Sequence, residues 1–89
     1  MKNVLWSVFM NTYETVKNRI LELCKEKHMT IYKLSVESAV APSSIKSILY
    51  GKSKNPGIVT LKMLCDGFGI SLDEFFDTEA FRNLEQEIK

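Results

Sequence analysis

Three serines and a lysine, Ser43, Ser44, Lys46 and Ser47, interleave with Ile45, Ile48 and Leu49 between Pro42 and Gly51. At helical spacing the isoleucines and Leu49 share one face, which leaves the hydroxyls and the ammonium on the other. Hydroxyls donate and accept hydrogen bonds, and an ammonium donates to an anion. Such a set suits recognition by contact, not bond-making. The rest of the chain agrees. His28 is its one histidine, and no paired carboxylates, glycine-rich phosphate loop or nucleophile–base spacing accompany it. His28 follows a helix end and reads as a surface residue. Cys24 and Cys65 stand far apart in apolar runs, without zinc or redox spacing, and read as buried reduced thiols of a cytoplasmic protein. We expect no enzyme, no cofactor, no metal and no small-molecule substrate.

The 89 residues suffice for one small domain, and 45% apolar content suffices for its core. Net charge is only +1, but its distribution is uneven. Residues 1–29 sum to +2, residues 30–57 to +3 and residues 58–89 to −4. A basic middle is a modest pointer to an anionic partner, and two solvated faces explain it nearly as well. The first residues, MKNVLWSVFMN, are too short an apolar run to span a membrane and lack a signal-cleavage pattern. Residues 1–10 are an apolar extension. It is either an optional addition from an upstream start or an arm that folds back.

The elements that must position the polar set are well punctuated. Asn11 and Glu14 form a capping box that opens helix 1, about residues 12–27, with Val16, Ile20 and Leu23 inward. Thr30 caps helix 2, about 31–38, anchored by Leu34. Pro42 suits the first turn of helix 3, about 42–50, and Gly51 stops it. The turn-rich SKNPG, 53–57, leads to helix 4, about 58–68, with Ile58, Leu61, Leu64, Cys65 and Phe68 at helical spacing. Ser71 and Glu74 cap a short fifth helix ending at Phe75-Phe76. The tail, 77–89, repeats Ala80, Phe81, Leu84 and Ile88 as an amphipathic helix. The expected fold is all-α: a compact bundle of four core helices, a short fifth helix and a C-terminal helix.

Residues 20–76, about two thirds of the chain, resemble the Cro/repressor-type helix-turn-helix domain of the XRE family. Leu34, Val40, Ile45 and Ile48 carry the resemblance most strongly. Gly51, Pro56, Leu61, Phe68-Gly-Ile70 and Leu72-Asp-Glu-Phe75 extend it in order. It implies a lambda-repressor-like DNA-binding domain over residues 11–76. Three features depart from the family pattern. Ala39 stands where glycine is usual, so either the turn differs or the alanine carries strain. Ile31 replaces a glutamine that contacts the DNA backbone. Cys24 and Leu49 together replace an arginine–glutamate pair between helices 1 and 3. A buried ion pair exchanges for apolar packing with little net loss, so these two side chains should touch.

The resemblance implies that helix 3 is the recognition helix in the major groove of double-stranded DNA. Pro42, Ser43, Ser44, Lys46 and Ser47 match positions that read base edges. Thr30, Tyr32 and Lys33 at the start of helix 2, and Tyr50, Lys52, Ser53, Lys54 and Asn55 after helix 3, match phosphate-binding positions. Relatives act as homodimers on pseudo-palindromic operators, usually as repressors. The apolar arm, the helix ending at Phe75-Phe76 and the tail around Phe81, Leu84 and Ile88 are the available dimer surfaces. The rival reading is a protein-interaction module of the same fold, such as an antitoxin. Acidic neutralisation of the surface around Lys33, Lys46, Lys52 and Lys54 would favour it.

Overall fold

The structure, a computed structural model, describes residues 11–88. The extension proposed for residues 1–10 lies outside the described residues. Six helices follow in order: α1 (Thr12–Glu26), α2 (Ile31–Ser38), α3 (Pro42–Leu49), α4 (Ile58–Phe68), α5 (Leu72–Phe76) and α6 (Glu79–Arg82). No strand occurs among the described residues, so the fold is all-α.

Helix starts follow from local chemistry. Asn11 Oδ1 accepts from Glu14 N–H (2.8 Å), Thr30 Oγ1 from Lys33 N–H (3.0 Å) and Ser71 Oγ from Glu74 N–H (3.2 Å). Each satisfies a donor that the helix itself leaves unpaired. Helix ends use left-handed residues. His28 (φ 54°) and Gly69 (φ 78°) let the next N–H reach back, Met29 to the Cys24 carbonyl (2.8 Å) and Ile70 to the Cys65 carbonyl (3.0 Å). His28 is thus the hinge residue that ends α1, as well as an exposed one.

Leu34, Val40, Ile45 and Ile48 are all buried, Leu34 and Ile45 completely. They lock the α2–α3 corner against Ile20 and Leu23 of α1 and Leu61 and Leu64 of α4. Cys24 is half-buried against the cluster that holds Leu49. Between α2 and α4 the backbones nearly touch. A Cβ on Gly67 would lie 2.8 Å from Ser38 Cβ and 3.0 Å from Ser38 Cα and N. Buried Ser38 also accepts from Val40 N–H (3.2 Å), closing the turn. Ala39 takes the left-handed angle (φ 59°), so the alanine carries the strain.

Arg19 ties α1 to α5. Its Nε donates to the Phe75 carbonyl (2.7 Å) and its Nη2 to the Glu74 carbonyl (3.0 Å), at the end of a helix where a cation is favoured. Phe75, Phe76 and Phe81 pack as a cluster with ring centroids 4.9–6.0 Å apart. Phe75 is buried in the core, and Phe76 and Phe81 pack against it half-buried. Two expectations fail. The tail is helical only over Glu79–Arg82, and Ile88 is 85% exposed. Phe81 finds the core while Ala80 and Ile88 do not, so too little burial supports more helix. Ile58 is 60% exposed because the first turn of α4 projects past the core.

Candidate nucleic-acid interface

The polar side of α3 begins with its cap. Ala41 is the N-cap and supplies no side-chain hydrogen bond, and Pro42 occupies the first turn. Among the described residues, no hydrogen bond engages the hydroxyls of Ser43, Ser44 or Ser47. Capping therefore does not account for these serines. Pro42, Ser43, Ser44 and Lys46 are exposed and Ser47 is half-buried, opposite the buried Ile45, Ile48 and Leu49.

The far end of α3 is held at three points. Gly51 (φ 84°) turns the chain, and the N–H groups of Lys52 and Ser53 both reach the Ser47 carbonyl (2.9 Å each). Tyr13 Oη, from α1, donates to the Ile48 carbonyl (2.5 Å). Tyr13 stands near the start of α1, 35 positions from Ile48. Its role as a brace for α3 depends on a contact across the fold, and no local pattern signals it.

The loop after α3 returns to meet it. Ser44, Ser47, Ser53, Asn55 and Thr60 line a shallow cleft of about 340 Å³ between α3 and the start of α4. Gly57 opens α4 without a side-chain cap, so the N–H groups of its first turn face this cleft's edge unpaired by any cap. Thr60 and Gly57 were missed in the sequence. The signal was present in the SKNPG loop running straight into a helix.

The remaining expected residues flank the cleft without lining it. Tyr32 and Tyr50 are 72% and 69% exposed, so neither ring is a packing residue. Thr30 Oγ1 accepts the α2 cap hydrogen bond from Lys33 N–H, and its hydroxyl proton stays available to donate. Lys33 pairs with Glu37 of its own helix (3.1 Å), an exposed i,i+4 pair that a stronger anion can displace. Among the described residues, Lys46, Lys52 and Lys54 form no ion pair. The face is thus net cationic at its centre and partly neutralised at its α2 edge.

Burial pushes both thiols up, Cys24 and Cys65 alike, so they stay protonated and unreactive at neutral pH. Among the described residues, no group of three His, Cys, Asp or Glu side chains is placed to hold a metal ion. Likewise, no described helix is long and apolar enough to cross a membrane.

Residues 19–80 fit the family model described as the Cro/C1-type HTH DNA-binding domain. No curated protein and no solved structure matches the chain with significance.

Proposed function

Because this chain belongs to the Cro/C1-type helix-turn-helix DNA-binding family, we propose that it is a sequence-specific transcriptional regulator that inserts α3 into the major groove. The observation that carries this reading is the uncommitted polar face of α3. Its three serine hydroxyls and Lys46 have no partner among the described residues, and a buried apolar face props them outward.

Pro42, Ser43, Ser44, Lys46 and Ser47 meet base edges. Hydroxyls pair with several bases, and Lys46 bonds guanine O6 or N7, so direct readout is modest. Sequence-dependent DNA shape supplies part of the specificity. Tyr50, Lys52, Ser53, Lys54 and Asn55 grip one stretch of backbone, with the cleft at Gly57 and Thr60 beside them. Thr30, Tyr32 and Lys33 grip the other. The protein acts in the cytoplasm as a homodimer on a pseudo-palindromic operator, and represses by occupying it.

Selection of binding sites from random duplex DNA at two salt concentrations tests this. An enriched inverted repeat with half-sites about 34 Å apart is the expected outcome. Loss of every duplex at low salt would overturn it in favour of a protein partner docked on the same helix.

A further inference from the structure

The end of the described chain turns back to its beginning. Glu87 Oε2 accepts from the Thr12 hydroxyl (2.6 Å) and from the Thr12 backbone N–H (3.4 Å). Thr12 is the first residue of α1, where unpaired N–H groups and the helix dipole favour an anion. The tail thus places a carboxylate at a helix start. A surface groove of about 600 Å³ continues from that contact, and its lining includes Thr12, Glu14 and Glu87 together with Lys54, Asn55 and Pro56. Lys54 and Asn55 belong to the loop assigned above to the DNA backbone. Tyr13, the next residue of α1, braces α3 through the Ile48 carbonyl. The strap point, the basic loop and the end of α3 are therefore neighbours. The tail that supplies Glu87, residues 77–89, carries four acidic and two basic side chains, a net charge of −2.

We propose that the acidic tail is an autoinhibitory strap, latched by Glu87 on Thr12, that competes with a DNA phosphate for the groove beside Lys54 and Asn55. This rests on the DNA-binding reading. A phosphate entering the groove meets a fixed carboxylate of like charge, so the two occupants exclude each other. Bound DNA drives Glu87 off Thr12, and the free protein has reduced affinity for any duplex. The strap acts on backbone contacts, so it lowers specific and non-specific binding together.

Duplex affinity of the full chain is measured at low and moderate salt for the unaltered protein and for Glu87→Gln, Thr12→Ala and Glu85→Gln. Glu87→Gln removes the latching charge, and Thr12→Ala removes the hydroxyl that holds it. Glu85→Gln removes an equal charge from an exposed position with no hydrogen bond to α1 among the described residues. The first two should bind roughly three- to tenfold more tightly at low salt, and Glu85→Gln should change little. Hydrogen exchange at the Thr12 amide should quicken in Glu87→Gln. Equal gains from Glu87→Gln and Glu85→Gln would overturn the strap in favour of diffuse charge. No gain from Glu87→Gln while DNA still binds would overturn the strap alone. Failure of all four proteins to bind any duplex would remove the DNA-binding reading and the strap with it.

Discussion

Ala39 holds a left-handed backbone angle (φ 59°) on the exposed surface of the α2–α3 turn. Its Cβ gains no burial for the strain. Ala39→Gly should therefore stabilise the domain by about 1 kcal/mol, because relief of the strain outweighs the extra unfolded-chain entropy of glycine. Thermal unfolding should show this as a rise of about 4–8 °C in Tm. Lys46 poses the sharper functional question, because a lysine contacts either a base or a phosphate. Lys46→Ala should cost about 1–3 kcal/mol and relax preference at one base pair if it reads guanine. A uniform loss across all sequences, with a shallower salt slope, would assign it to the backbone. Competition binding against single-position operator variants separates the two.

The helices show which long contacts aim α3. Tyr13 reaches from α1 to the Ile48 carbonyl, so Tyr13→Phe should cost about 0.5–1.5 kcal/mol of stability. Duplex affinity should fall too, although the Tyr13 ring is not assigned to DNA, because the end of α3 loses its brace. Parallel denaturation and binding curves would reveal both effects. Gly67 sets the distance between α2 and α4, with Ser38 backbone atoms 3.0 Å from where a Cβ would stand. Gly67→Ala should destabilise the domain by about 1–3 kcal/mol despite its better helix propensity, as measured by urea unfolding. Backbone atoms cannot swing aside as a long side chain can, so the helices themselves must part.

For the whole molecule, charge is nearly balanced in sum and divided in space. The +3 of residues 30–57 surrounds α3, and the −4 of residues 58–89 lies after it. Contact with roughly five phosphates per subunit should give a logarithmic salt slope of about −4 to −5. Titrations from low to moderate salt measure it, and a slope near zero would exclude a backbone-led interface. The aromatic cluster of Phe75, Phe76 and Phe81 packs against α1, where Arg19 bonds the Phe75 carbonyl and lies over its ring. Ile58 and Val59, 60% and 69% exposed, are apolar groups still available beside the cleft.

Much of this architecture was legible in the residues. Caps at Asn11, Thr30 and Ser71, the stop at Gly51 and the anchors Leu34, Val40, Ile45 and Ile48 act within a few positions of themselves, where helical spacing governs. The polar face of α3 was legible for the same reason, as the complement of its buried stripe. The tertiary structure alone decided the pairings that span the chain. Tyr13 meets a carbonyl 35 positions away, Arg19 one 56 away, and Thr12 a carboxylate 75 away. No local period relates such residues. Their meeting depends on how the packed core orients each helix, and so does the return of the tail that α6 was too short to continue.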